Sequence, residues 1–448
     1  MKINSKIFKA YDVRGVYPNE INEETAYAIG RAFVLFLKKK NPKIVIGRDN
    51  RFSSPILFKN LSKGIIEQGG DVVDIGLSIT PMLYFAAGHF NYDGGIQITA
   101  SHNPSQYNGL KMVRDNAISI SGQSGLKEIK KIAMKGNFKK AKKGKIYKKK
   151  ILKDYIDFNL KRFDLKKIKP LRVVVDTANA VSGILIEDLF KKTNLKVSHL
   201  FKELDGSFPN HPPDPLKKEN LRALYREVKL LNADLGVAFD GDGDRVVFMN
   251  ELGKQVPGDL ITALMAELTL KERKKGKIIY DLRSSNIVKE TIKNMSGRPV
   301  ISKVGHSLIK NKMRKEGIFF AGEFSGHYYY DDDYFSECPI FVLFKILEEI
   351  SETGKSFSQI IKPFQKYFHS GEKNFKIKDK EKTLKILEQN FKSGKLLKLD
   401  GLRVDFDDWW FLVRASNTEP LIRLVVEAKT KTTMDEKIKE ISKIIEKN

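Results

Sequence analysis

Cysteine is almost absent from this chain, with Cys338 alone among 448 residues. A single thiol excludes an intramolecular disulfide framework and a cysteine-rich zinc centre, and it fits a reducing compartment. Long apolar runs are missing too, since no uninterrupted apolar stretch reaches bilayer-spanning length. The opening residues MKINSKIFKAYDVRG hold no apolar run resembling a signal peptide, so the expectation is a soluble cytoplasmic protein with no membrane partner. Acidic residues are scarce relative to basic ones, 55 against 81, giving a formal net charge of +26. Nucleic-acid binders show such a balance. Here, however, the lysines are spread along the whole chain among acidic residues, and no aromatic-basic groove pattern accompanies them. The one dense run, KKAKKGKIYKKK from Lys139 to Lys150, reads as a solvated connector. No nucleic-acid partner is expected; a positive field that draws in phosphorylated metabolites is.

What is present is an architectural repeat. Periodicity predicts strands at Lys43–Ile46, Val72–Ile75 and Gly95–Thr99, with helices over Pro55–Gln68 and Thr80–His89 between them. The order returns with strands at Arg172–Val175, Lys196–Leu200 and Leu235–Phe239 and helices over Gly183–Lys192 and Leu221–Leu231. A third pass has strands at Lys277–Tyr280, Val300–Ser302 and Phe319–Ala321 and helices over Ser285–Met295 and Leu308–Glu316. From about Phe375 the pattern changes to a helix over Lys380–Phe391, strands at Leu402–Phe406, Trp410–Val413 and Leu421–Glu427, and a closing helix over Met434–Lys447. The expected fold is three similar α/β domains with mixed sheets, over 1–150, 151–254 and 255–368, plus a smaller C-terminal α+β domain over 369–448, arranged around a central cleft. Ligands in open α/β sheets bind at the carboxyl ends of strands, and each repeat delivers a polar loop there.

Those loops carry the chemistry. Asp240-Gly241-Asp242-Gly243-Asp244-Arg245 presents three carboxylates that can face one hard cation, with glycines letting the backbone turn tightly. Oxygen ligands at this density favour magnesium over zinc. An EF-hand is excluded, because its sixth loop position needs glycine and is Arg245 here, and Val246–Met249 reads as a strand. Thr99-Ala100-Ser101-His102-Asn103-Pro104, followed by Lys111, offers a hydroxyl nucleophile, an imidazole and a cation suited to phosphoryl transfer; a Ser-His-Asn capping turn is the bland alternative. Arg414-Ala415-Ser416-Asn417-Thr418, with Arg423 beyond, matches the oxygens of a phosphate monoester, or is a polar hairpin. Glu323 and Ser325 suit sugar hydroxyls. His306 and His327 suit proton transfer, and each is equally open to a buried structural role.

Taken together, the motifs FKAYDVRG from Phe8, GRD from Gly47 with Ser53-Ser54, TASHNPSQYNGLK from Thr99, DGSFPNHPPDP from Asp205, DGDGDR, KVGHS from Lys303, GEFSGH and RASNTEPLIR make the chain resemble the α-D-phosphohexomutase superfamily, most closely its phosphomannomutase/phosphoglucomutase branch. The match runs over essentially the whole chain. The resemblance implies a magnesium-dependent enzyme in which Ser101 carries a phosphoryl group and Asp240, Asp242 and Asp244 bind magnesium together with a phosphate oxygen on that serine. It implies that Glu323 and Ser325 read the sugar and that Arg414, Ser416, Asn417, Thr418 and Arg423 grip the phosphate that is not reacting. Arg14, Lys111, Arg245, His306 and His327 would surround the reacting phosphate, with His102 beside the nucleophile; Tyr11, Arg283 and Lys303 are further substrate-binding candidates.

The implied chemistry interconverts hexose 6-phosphate and hexose 1-phosphate, of mannose or glucose, through a hexose 1,6-bisphosphate that also primes the unphosphorylated enzyme. A monomer or homodimer is expected. Two departures stand out: Glu337-Cys338-Pro339 replaces an Asp-Asp-Gly type turn, and Arg283 stands where some relatives carry lysine. Phosphoglucosamine mutase is the nearest alternative, and Phe324 in GEFSGH argues against it. A non-catalytic sugar-phosphate-binding paralogue is another, against which the intact Ser101 and aspartate loop speak.

Overall fold

In the computed structural model, which describes residues 3–377, 379–415 and 421–447, the strand Lys43–Arg48 carries four consecutive buried residues. Such a run belongs in the middle of a sheet covered on both faces. Parallel neighbours Asp71–Leu77 and Gly94–Ile98 flank it. The sheet runs Val13–Val16, Tyr107–Arg114, Gly94–Ile98, Lys43–Arg48, Asp71–Leu77, Ile146–Lys148, and its Val13–Val16, Tyr107–Arg114 and Ile118–Ile120 members pair antiparallel. It is therefore mixed. Glu23–Leu37 starts where Asn22 Oδ1 accepts the Thr25 N–H at 3.0 Å, and two glutamates occupy its first turn, where the helix dipole favours them. Phe33, Leu57, Leu61 and Ile65 from this helix and Ser54–Glu67 pack on Ile44, Ile46, Ile96 and Ile98. Each such burial is worth about 1.5–3 kcal/mol.

The lysine-rich connector needs correction at one end. Its lysines are exposed or half-buried, as expected of a solvated segment, but Ile146–Lys148 forms a parallel strand against Asp71–Leu77, with Val72 opposite Ile146. Backbone hydrogen bonding to a free sheet edge does not require apolar side chains, so composition alone does not reveal it.

The second mixed sheet runs Gln255–Val256, Val246–Asn250, Leu235–Phe239, Arg172–Asp176, Lys196–Leu200. Leu235–Phe239 is buried throughout and ends directly at the aspartate loop. In the third α/β segment, Lys277–Asp281 lies parallel to both Arg298–Ser302 and Phe320–Gly322, while Tyr328–Tyr330 and Ser336–Glu337 form an antiparallel pair. The C-terminal sheet, Phe368–His369, Leu421–Ala428, Trp409–Ala415, Leu402–Asp405, Lys395–Leu397, is antiparallel; Lys373–Lys376 also joins Leu421–Ala428. Helices Lys380–Asn390 and Lys431–Glu446 complete the α+β domain, over a core that includes Leu387, Phe411, Leu424 and Ile441. Both tryptophans of the chain sit here. Trp410 is fully buried, donates Nε1–H to Glu427 at 2.7 Å and lies under the Arg403 guanidinium at 3.7 Å.

The expected three α/β domains with mixed sheets and an α+β tail are thus what folds. By packing, the chain divides into two units: Met1–Pro257 with Gly305–Phe319 and Ser325–Ile360, and Gly258–Val304 with Phe320–Phe324 and Ile361–Asn448. The third α/β segment contributes to both. Among the described residues no helix is long and apolar enough to cross a membrane.

Candidate active site

The first unit holds the serine. Beyond Gly94–Ile98 the chain turns so sharply that Ser101 sits at φ +53°, a left-handed conformation uncommon for a residue bearing a Cβ and costing about 1–3 kcal/mol. Ser101 is 3% exposed. Its N–H donates to Thr99 Oγ1 at 2.9 Å, its hydroxyl donates to Asp240 Oδ2 at 2.9 Å, and His102 Nδ1 lies 3.3 Å from Ser101 Oγ. Beneath the loop lies a residue that the motif reading passes over. The buried guanidinium of Arg51 donates to the carbonyls of Ser101 (2.8 Å), Asn103 (2.7 Å), Pro104 (2.6 Å) and Tyr107 (3.3 Å), and to Asp49 Oδ2 at 3.0 Å.

The aspartate loop meets this turn from the second α/β domain. Gly241 passes so close that a Cβ there would stand 2.3 Å from the Ser101 carbonyl oxygen, and Gly243 takes φ +67°, which explains both glycines. Asp240, Asp242 and Asp244 are buried, and each offers one carboxylate oxygen in a group within 4.8 Å of one another. Thr80 Oγ1 donates to Asp242 Oδ2 at 2.5 Å; Lys111 Nζ donates to the same oxygen at 2.6 Å and also to Asp244 Oδ2. Burial, then Asp244 and Asp242, push the Asp240 carboxyl well above the usual range. Burial acts the same way on Asp244, but Lys111 and then His327 outweigh it and hold that carboxyl well below. Burial lowers the Lys111 ammonium, and Asp242 and Asp244 more than reverse this.

A cation fits this set. Three buried carboxylates sit against the Lys111 ammonium, the His327 ring and the Arg245 guanidinium, whose Nε is 3.8 Å from Asp240, and among the described residues Asp242 Oδ1 is buried without a hydrogen-bond partner. All-oxygen donors suit a hard divalent ion.

Four basic groups surround the triad. His327 Nε2 is 3.3 Å from Asp244 Oδ1 and 3.4 Å from Arg245 Nε, and Ser325 Oγ is 3.0 Å from His327 Nδ1. His306, whose ring is 6.5 Å from that of His327 and 5.6 Å from Tyr11, is held well below the usual histidine range by burial, Lys310 and Lys111. His102 is likewise lowered by burial, then by Arg245 and Arg14, so both imidazoles are neutral near pH 7. Arg14 donates to Asn103 Oδ1 at 2.6 Å and to Asp12 Oδ2 at 2.5 Å. The departing Glu337 does not disturb this packing: its carboxylate takes both oxygens to Lys310 Nζ at 3.0 Å, and Pro339 begins a fifteen-residue helix.

The second unit gathers another set. Arg283 Nη2 donates to Asp281 Oδ2 at 2.7 Å and approaches Glu323 at 3.8 Å, and its Nη1 lies 3.7 Å from Glu372. Burial lowers the Arg283 guanidinium, but Asp281 and Glu372 more than compensate and raise it, so it stays charged. Phe324 donates its N–H to Asp281 Oδ2 at 2.8 Å and stacks on His369 at 5.0 Å. Arg414 pairs with Asp400 at 2.8 Å and Glu372 at 3.6 Å, and it stands directly opposite Arg423 across the strand pair. Two like charges in that register repel, and Asp400 and Glu372 offset the charge of Arg414. Lys303 is exposed. Ser416, Asn417 and Thr418 lie outside the described residues.

Models of four phosphoglucomutase/phosphomannomutase domains match in order: α/β/α domain I over 5–140, domain II over 153–253, domain III over 257–367 and the C-terminal domain over 372–444. The chain belongs to the phosphoglucomutase/phosphomannomutase family. Within that family it is 39% identical over 445 residues to a phosphomannomutase of Methanocaldococcus jannaschii, covering 98% of each chain. It is also 39% identical to a phosphomannomutase/phosphoglucomutase of Pseudomonas syringae, over 96% of this chain and 92% of that one. A crystal structure of a phosphoglucomutase/phosphomannomutase family protein from Burkholderia thailandensis superposes with a TM-score of 0.91 at 32% identity, over 99% and 97% of the two chains. In this phosphoglucomutase/phosphomannomutase chain the first unit brings together Tyr11, Arg14, Ser101, His102, Lys111, the three aspartates, Arg245, His306, Ser325 and His327. Arg51, Asp281 and Glu372 join the candidates unforeseen. A signal existed for two of them, because Asp49-Asn50-Arg51 and Asp281-Leu282-Arg283 both place an Asp-x-Arg at the end of the first strand of a repeat.

Proposed function

We infer that the protein is a hexose-phosphate mutase, moving a phosphoryl group between the 1 and 6 positions of mannose or glucose by way of phosphorylated Ser101. The single observation that carries this is the Ser101 hydroxyl, buried at a strained turn and 2.9 Å from a carboxylate of the aspartate triad. A hydroxyl in a buried site crowded with cations suits phosphoryl transfer, where catalysis is mostly positioning and charge neutralisation. The printed names of the curated relatives support the substrate class.

In this reading phosphoserine 101 donates to the free hydroxyl of a hexose monophosphate. The bond from Oγ to phosphorus breaks as the bond from the sugar oxygen forms, and the hydroxyl proton leaves to a nearby base. Neutral His102 and His306, together with His327, are the candidates to receive it. The resulting hexose 1,6-bisphosphate turns end for end and returns its other phosphate to Ser101. Asp240, Asp242 and Asp244, with a phosphate oxygen on Ser101, would hold magnesium, which when bound supplies positive charge to the transferring phosphoryl oxygens. Arg14, Lys111 and Arg245 neutralise the same charge. Glu323 and Ser325 accept and donate to sugar hydroxyls; Arg283, Arg414, Arg423 and the loop bearing Ser416, Asn417 and Thr418 hold the non-reacting end, with Tyr11 and Lys303 as further contacts.

Phosphosite mapping of the purified protein, before and after incubation with glucose 1,6-bisphosphate, is the direct test, and phosphate is expected on Ser101. Ser101→Ala should lose isomerisation of mannose 1-phosphate by about three orders of magnitude while still binding it. Full turnover in that variant sinks the assignment, and parallel assays of mannose, glucose and glucosamine phosphates rank the substrates.

A further inference from the structure

We propose that Arg51 is a positioning residue for phosphoryl transfer, fixing the direction of the Ser101 hydroxyl by gathering the carbonyls of the serine loop beneath it. The inference rests on the reading of Ser101 as the phosphoryl carrier. A guanidinium has five N–H donors in a rigid fork, and Arg51 commits all of them: one to Asp49 and four to the carbonyls of Ser101, Asn103, Pro104 and Tyr107. All four carbonyls belong to a single seven-residue stretch, and that stretch bears the nucleophile. A buried arginine serving stability alone has no reason to concentrate its donors on one loop.

The consequences for the site are specific. Tying down the carbonyls of Ser101 and Asn103 fixes the Ser101–His102 and Asn103–Pro104 peptides and helps to hold Ser101 at φ +53°, from which its hydroxyl reaches Asp240. It also turns four carbonyl oxygens, the negative ends of their peptides, onto a cation and away from other partners, which suits a loop that must carry a phosphate dianion. The grip extends to a second catalytic candidate, because the Asn103 side chain accepts from Arg14 Nη1 at 2.6 Å. Arg51 is itself fixed. Asp49 Oδ1 accepts its backbone N–H at 3.1 Å, and the Phe208 ring lies 5.0 Å from its guanidinium carbon. Phe208 belongs to the DGSFPNHPPDP segment, which gives that motif a place in the same device.

Arg51→Lys tests this, since it keeps the charge but not the fork. Per folded molecule, kcat with mannose 1-phosphate should fall about a hundredfold and transfer from glucose 1,6-bisphosphate to Ser101 should slow equally, with KM within about twofold of the parent. A kcat equal to the parent's once the folded fraction is counted by circular dichroism would show Arg51 to be structural only and overturn the proposal. If Arg51→Lys does not fold, Phe208→Leu loosens the guanidinium while keeping every donor; a severalfold fall in kcat at constant KM supports the proposal, and an unchanged kcat overturns it. A parent protein that takes no phosphate on Ser101 defeats the underlying reading of the serine instead, so the two failures are separable.

Discussion

Lys111 is the residue whose removal says most about the triad. Its ammonium is buried and contacts Asp242 and Asp244 at once, so Lys111→Met leaves two carboxylates without that partner. Breaking a buried pair from one side costs about 3–5 kcal/mol. The variant is expected to melt well below the parent without divalent ions and to recover more melting temperature than the parent on addition of Mg2+; thermal denaturation with and without the ion reads this. A variant that melts like its parent and ignores the ion refutes the cation-site reading. The aspartates and Ser101 are legible in the sequence because each is a polar residue just beyond an apolar strand, and Lys111 because it closes the same motif as Ser101. Arg51 is far less so, since its partners are backbone carbonyls fifty or more positions away, and carbonyls leave no mark on composition.

Strands and amphipathic helices are read well from periodicity where one face is polar, as in Arg222–Leu230 and Asn286–Asn294. Gly258–Arg273 and Pro339–Thr353 escape that reading because burial extends around most of their circumference, so no polar stripe sets the period. Loops pinned by a single side chain are equally hard to foresee. In the DGSFPNHPPDP segment, His211 Nδ1 faces the Pro212 carbonyl at 2.8 Å and Nε2 faces Asp176 at 3.1 Å, a pair of acceptors that only the doubly protonated ring satisfies. Burial lowers this histidine, but Asp176 and the Pro212 carbonyl raise it further, so its net displacement is upward from 6.5. A raised folded-state value means the stabilisation is complete below the unfolded value and is lost as pH rises through the folded one. His211→Gln should therefore destabilise the protein in urea titrations at about pH 5.5 and much less at about pH 9. Equal losses at both would show that the ring acts by packing alone.

Over the whole molecule, the surplus of 81 basic over 55 acidic residues is a statement about encounter, not about fold. If the net positive field recruits anionic sugar phosphates, kcat/KM should fall severalfold as NaCl is raised from low to physiological strength and beyond, while kcat moves little. A salt-independent kcat/KM would mean that the lysines play no part in capture. The domain plan is legible in the sequence because the repeat recurs three times and each pass ends in a polar loop. The division into two packing units is not, since the third α/β segment lends strands and helices to both.

Both indoles of the chain are neighbours on one strand of the C-terminal sheet, Trp409 stacked on Phe406 at 4.4 Å and Trp410 sealed against Glu427 and Arg403. Tryptophan emission, excited selectively over tyrosine, is therefore a label-free reporter of that domain alone. Any ligand that quenches or shifts it acts there, and the fluorophore needs no engineering.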